Sequence, residues 1–223
     1  MEDILIVSDS VTQSNFLFTG YPVVLDGIQH TVRVERIEPW EDSIEGWLHV
    51  RVTQEEIALD FFDTRFYTGS AALQVGQQIE VVLAGLAYIL EPLPENSIEI
   101  NEGAFWEMEK QRRLTEGESP EEAARPVQII LSGMSAFFPR KGDDCGDAEF
   151  GGVIEAIECF QHSGITMYRL EIVVLKPDDD VFRLPIFVSE SVLAGYVPRL
   201  GEDVRGLMWI QGYVAGQSGL GKG

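Results

Sequence analysis

The stretch that most constrains this chain is 198–214, PRLGEDVRGLMWIQGYV, where a Leu-Gly pair leads into a run of alternating side chains. Val204, Gly206, Met208, Ile210, Gly212 and Val214 share one face, while Leu207, Trp209 and Tyr213 fall mostly on the other, the period-2 spacing of a strand. Apolar residues on both faces predict a strand covered on both sides. Gly206 and Gly212 carry no Cβ, which suits a sharp bend closing a barrel or the close approach of a second backbone; the plainer alternative is a sandwich strand softened by glycine. A shorter relative, LQVGQQIEVVLAGLAY at 73–88, predicts one β unit used twice.

The rest of the chain supports that expectation. Val32 and Val34 alternate and, after a phase slip, Ile37 follows; Trp47, Leu48, Val50 and Val52 form a second strand pattern, and Ile57, Leu59, Phe61 and Phe62 a third. The order returns at 154–160, 168–175 and 182–188, with the turn KPDDD before the last of these. Leu48, Val50 and Val52 match Leu170, Ile172 and Val174 at an offset of 122; Leu59, Phe62, Gly76, Ile79 and Tyr88 match Leu184, Phe187, Gly201, Val204 and Tyr213 at an offset of 125. The three-residue change falls in a turn, where insertions are tolerated, so element order argues for duplication; chance likeness between period-2 patterns is the competing explanation.

Between the repeats, 101–126 is rich in helix formers and holds Ser119-Pro120-Glu121-Glu122, a capping box with proline at the first helical position. This predicts a helical connector. Residues 127–138 regain strand character and either close the first unit or open the second. The expected division is a β unit over 1–100, a connector over 101–126, a second β unit over 127–216 and a flexible tail over 217–223. Asp26-Gly27 between apolar residues is a hairpin signal.

Three strands, a short helical segment and a final strand entered through Leu-Gly resemble the OB-fold, a five-stranded barrel. GGVIEAIECF, YRLEIVVL, FRLPIFVSES and LGEDVRGLMWIQGYV carry the likeness in the second unit, and HTVRVERI, WLHVRV, IALDFF and VGQQIEVVLAGLAY carry it in the first. The resemblance implies a mostly β chain of two OB-like five-stranded barrels joined by the helical connector. OB-folds commonly bind single-stranded nucleic acid or oligosaccharide on strands two and three, and others bind only proteins, so the fold does not choose. On the first unit's strands, Trp47, His49, Arg51, Phe61, Arg65, Phe66 and Tyr67 offer the mixture that stacked bases and phosphates need. Glu35, Glu38, Glu41, Asp42, Glu45, Glu55, Glu56, Asp60 and Asp63 outnumber the arginines there.

Charge decides between those readings. Sixteen Lys and Arg against 37 Asp and Glu give a net charge of −21, which repels polyanions and disfavours nucleic acid and anionic membranes. The acidic start MEDILIVSDS predicts neither a signal peptide nor a membrane span, and the two cysteines, Cys145 and Cys159, do not make a disulfide framework, which points to the cytoplasm. The chain carries no nucleophile elbow, Walker loop or dinucleotide fingerprint; GLGK at 219–222 lacks the spacing and the following helix of a phosphate loop. His30, His49 and His162 show no ligand spacing, and Asp143, Asp144, Asp147 and Glu149 around Cys145 do not follow a calcium-loop pattern. Neither a catalytic residue, a cofactor nor a metal is therefore assigned. The expectation is a non-enzymatic interaction protein whose acidic surface engages a protein partner of basic character, with Trp47, Arg51, Phe61, Arg65, Tyr67 and Trp209 in the β units and Phe105 and Trp106 on the connector as candidate contacts. Single-stranded nucleic-acid binding is the second reading, and an enzyme with a carboxylate site assembled by the fold the third.

Overall fold

Valine and leucine alternating with polar residues commit the chain to strands almost wherever the sequence pattern places them. The computed structural model describes residues 4–9, 16–23, 26–40, 44–53, 57–93, 97–140, 146–176 and 181–216. These are mostly β, and they divide into a larger unit, 1–92 with 135–223, and a smaller one, 93–134.

In the larger unit the order is β1 (Ile4–Asp9), β2 (Phe16–Pro22), β3 (Ile28–Pro39), β4 (Gly46–Val52), β5 (Ala58–Asp63), α1 (Phe66–Gly69) and β6 (Gln78–Pro92). The smaller unit contributes β7 (Ser97–Ile100), α2 (Ala104–Thr115), α3 (Pro120–Ala123) and β8 (Val127–Ile130). Back in the larger unit come β9 (Ala136–Pro139), β10 (Asp147–His162), β11 (Ile165–Leu175), β12 (Phe182–Ser189), α4 (Glu190–Leu193) and β13 (Asp203–Val214).

Where the sequence suggests two separate barrels, the strands lie in one nine-stranded sheet in the order β11-β12-β6-β3-β4-β5-β13-β10-β9. β10 also pairs with β11, so the sheet runs round in a barrel-like ring, and β6 pairs with β13 across it. The cause is length: β6 and β13 span 15 and 12 residues, enough to pair with each other from Val81–Val214 to Pro92–Val204 and still reach further neighbours. Each side of that central pair is a circuit of five strands, β3, β4 and β5 on one side and β10, β11 and β12 on the other.

The two sides share their registers. Leu48 faces Phe61 and Val50 faces Leu59; Leu170 faces Ile186 and Ile172 faces Leu184, with partners 122 residues on in one strand and 125 in the other. The β3–β4 pair slips between Val34 and Arg36, and the β10–β11 pair slips between Ile154 and Ala156, 120 residues on. Phe62 lies beside Gln211 in the parallel β5–β13 pair, as Phe187 lies beside Leu86 in the parallel β12–β6 pair, each position again offset by 125.

Gly206 and Gly212 owe their place to close approach. A Cβ on Gly206 would collide with the Ile89 carbonyl oxygen, and one on Gly212 would stand 2.8 Å from the Val82 oxygen and 2.9 Å from the Phe61 ring. Inward residues of every strand in the ring, among them Val32, Leu48, Phe61, Leu83, Leu170, Leu184, Val204 and Ile210, form one core with exposures near zero.

Asp26-Gly27 does not join paired strands as its composition suggests, because β2 pairs with β1 and β3 with β4 and β6. Gly27 instead lies against β6, where a Cβ would stand 2.5 Å from the Leu83 oxygen. The tight hairpin falls elsewhere, at Ser163-Gly164, whose positive φ angles of 49° and 80° close β10 onto β11. Residues 177–180 of the KPDDD turn and the tail over 217–223 lie outside the described residues.

In the smaller unit β7 pairs with β8, from Ser97–Ile130 to Ile100–Val127. Residues 127–130 thus neither close the first circuit nor open the second; only β9 joins the large sheet, at β10. Ser119 caps α3 as its sequence suggests: its hydroxyl accepts from the Glu122 N–H, and the Glu122 carboxylate accepts from the Ser119 N–H at 3.1 Å. No helix among the described residues is long and apolar enough to cross a membrane.

Candidate functional site

Strand alternation turns Leu48, Val50 and Val52 of β4 into the core and leaves Trp47, His49 and Arg51 on the opposite face. Cross-strand register then arranges that face in rows. Glu38, Trp47 and Phe62 stand side by side across β3, β4 and β5; Arg36, His49 and Asp60 form the next row, and Arg33, Arg51 and Ala58 the third.

The middle row is a charge network. The His49 ring meets Asp60 through Nδ1 at 2.5 Å and Glu38 through Nε2 at 2.9 Å, and the Arg36 guanidinium reaches the same Glu38 oxygen at 2.8 Å. Both ring nitrogens face carboxylates, so His49 serves the network and has no face left for taking a proton from a substrate. In the third row two arginines stand opposite each other, and Arg51 donates its Nε–H to Glu35 at 2.7 Å. Arg36 and Arg51 are thereby neutralised by neighbouring carboxylates, while Arg33 has none among the described residues.

The first row opens into an aromatic cluster. The Phe62 ring lies 5.3 Å from Trp47 and 5.1 Å from Trp209, with Trp40 5.9 Å away and 45% exposed. Gly146, at φ 84°, seats the Trp47 ring where any Cβ would overlap it. Tilted and edge-on contacts of this kind add about 0.5–1.5 kcal/mol per pair beyond the buried area.

At the end of β5, Asp63 is buried; one oxygen accepts from the Arg65 N–H at 2.9 Å, and Oδ2 finds no hydrogen-bond partner among the described residues. Burial pushes its carboxyl up to about 6, against a smaller opposing pull from the Arg65 N–H and the Arg65 charge. The Arg65 guanidinium lies over the Tyr213 ring, 3.9 Å from its centre.

The structure brings Trp47 and Trp209 together, 6.5 Å apart, and keeps Arg51 on the same strand face. It corrects the expectation for Phe61, which is fully buried in the core and offers no ring to a ligand, because it falls on the inward phase of β5. Phe66, weighed with it, is also buried and packs against Gly46. Tyr67 on α1 is 71% exposed. Phe105 and Trp106 lie on α2 of the smaller unit, Phe105 exposed and Trp106 half-buried with the Lys110 ammonium 4.5 Å from its ring centre. Of the acidic loop, Asp143, Asp144 and Cys145 lie outside the described residues, and Glu149 pairs with Arg140 at 2.9 Å. Among the described residues no group of three or more His, Cys, Asp or Glu is arranged to hold a metal ion.

Sequence reasoning missed Trp40 and Phe62 as parts of one cluster and did not join His49 to Glu38 and Asp60. The available signal was the register of the β3–β4 and β4–β5 pairs, in which residues far apart in the chain become neighbours. Comparison with protein-family models, with curated proteins and with solved structures finds no match. The site therefore rests on its own geometry: an aromatic patch with one exposed tryptophan beside a neutralised ion network, on a strongly acidic chain.

Proposed function

We propose that this chain is a non-catalytic interaction protein, built by internal duplication from two OB-like five-strand circuits that share their longest strands, and that it engages a protein partner of basic character. The repeated registers support the duplication, since chance likeness of apolar patterns does not require matching slips and matching parallel pairs. The observation that carries the functional reading is the fate of the arginines. Nine of them, Arg36, Arg51, Arg112, Arg113, Arg125, Arg140, Arg169, Arg183 and Arg205, pair with carboxylates, and Arg65 lies on an aromatic ring. A nucleic-acid face needs cations aimed at phosphates, and of the twelve arginines only Arg33 and Arg199 stand without an ion-pair or ring partner among the described residues. The 21 carboxylates in excess of the Lys and Arg total are available to steer a cationic partner, whose encounter they accelerate.

Two measurements test the reading. Capture from the native host at low salt, followed by reconstitution from purified components, returns a basic protein that binds directly; the absence of any partner that survives reconstitution overturns it. Anisotropy titration with single-stranded oligonucleotides gives no binding even at low salt, whereas tight binding that weakens with salt would install nucleic acid as the ligand.

A further inference from the structure

The smaller unit buries few of its apolar side chains completely. Of its described residues only Arg113 and Ala123 are buried, while Phe105, Met108, Ile130 and Met134 are 45%, 63%, 67% and 52% exposed. Trp106, Leu114, Val127 and Ile129 are half-buried, so the unit shelters a modest apolar set and leaves Phe105, Met108, Ile130 and Met134 to solvent.

α2 shows why they point outward. Its sheltered stripe is mixed, Trp106 and Leu114 lying with Lys110 and Arg113: the Lys110 ammonium stands over the Trp106 ring, Arg113 Nη1 donates to the Arg125 carbonyl at 2.9 Å, and Arg113 Nε stands 3.4 Å from Glu109. Phe105 and Met108, three residues apart, take the exposed stripe, with Glu102 one turn before Phe105. An amphipathic helix normally turns its apolar stripe toward its own core; this one divides its apolar residues between its two sides. The charge around it is one-signed. Residues 93–134 hold nine Glu against four Lys and Arg, and Arg112, Arg113 and Arg125 are bound to Glu109, Glu116 and Glu118. Glu99, Glu102, Glu107 and Glu121 are exposed, with no cationic partner among the described residues.

We propose that the Phe105–Met108 stripe of α2 docks a basic amphipathic helix of the partner, whose apolar residues cover the two side chains and whose lysines or arginines meet Glu102 and Glu107. The proposal rests on the reading of the chain as a binder of a basic protein, and it names the contact element. Apolar anchors flanked by complementary charge are the arrangement in which a few side chains dominate affinity.

The test uses the full chain and three labelled synthetic peptides: leucine and lysine with helical apolar periodicity, the same composition scrambled, and leucine and glutamate in the helical pattern. The patterned cationic peptide binds about tenfold more tightly than the scrambled one, the glutamate peptide does not bind, and Phe105→Glu with Met108→Glu weakens binding by about tenfold without moving the melting temperature. Equal binding of both cationic peptides, unaffected by the double substitution, overturns this site while leaving the acidic-surface reading standing. A lowered melting temperature, or a dimer lost in the variant, overturns it by showing that the stripe is covered by the chain itself or by a second copy. Failure of both cationic peptides to bind rejects the broader reading as well.

Discussion

Asp63 is the residue whose chemistry is most at odds with its surroundings. It is 1% exposed, its Oδ2 has no hydrogen-bond partner among the described residues, and its carboxyl titrates near 6 against an ordinary value of 3.8. A folded-state value above the unfolded one means that folding favours the neutral acid. The stability it contributes is therefore present below about pH 4 and lost as pH rises through about 6, a swing of up to about 3 kcal/mol. Asp63→Asn keeps an acceptor for the Arg65 N–H and removes the buried charge. Urea unfolding shows the variant more stable than the parent at pH 7 by about 1–3 kcal/mol, with the gap closing below pH 4. A gap independent of pH would mean that Asp63 ionises as freely in the fold as in the unfolded chain.

At the scale of the element, the β6–β13 pair is the part to perturb. Gly206 faces Leu90 there with no room for a methyl group, so Gly206→Ala forces two strands apart and costs about 1–3 kcal/mol, read as a lower midpoint of unfolding with an unchanged slope. The same substitution at Gly201, where open space surrounds the absent Cβ, tests φ alone, since that residue stands at 79°. Most of the strands were legible in the sequence, because Leu48, Val50 and Val52 or Leu170, Ile172 and Val174 alternate so regularly that only one phase buries them. The capping box at Ser119 was legible for the same local reason. The partnership of β6 with β13 was not, since alternation reports which face is buried and nothing about which strand lies alongside. The Trp47–Phe62–Trp209 cluster and the Arg36–His49–Asp60 row stayed hidden for that reason: they are products of register between distant strands. Phe61 was misplaced as an outward contact because two adjacent phenylalanines leave the phase of β5 undecided until its partner strand is known.

At the scale of the whole molecule, each five-strand circuit borrows one of its members. The circuit of β3, β4 and β5 needs β13 to close, and that of β10, β11 and β12 needs β6. Neither 1–92 nor 135–223 made alone then folds as a monomer, because each leaves strand edges and half a core exposed. Circular dichroism and amide-proton dispersion show each piece unfolded, and mixing them restores the cooperative transition of the full chain. A single piece that unfolds cooperatively as a monomer would show that a circuit is complete without the borrowed strand.

Borrowing also sets a schedule for birth on the ribosome. β5 ends at Asp63 and its parallel neighbour β13 begins at Asp203, so 139 residues lie between them. At synthesis rates of about 5–20 residues per second, the first circuit waits roughly 7–28 s for its closing strand. During that interval the amino-terminal sheet is an open edge in a crowded cell, and its safety depends on chaperone shelter or on the mutual repulsion of its own carboxylates.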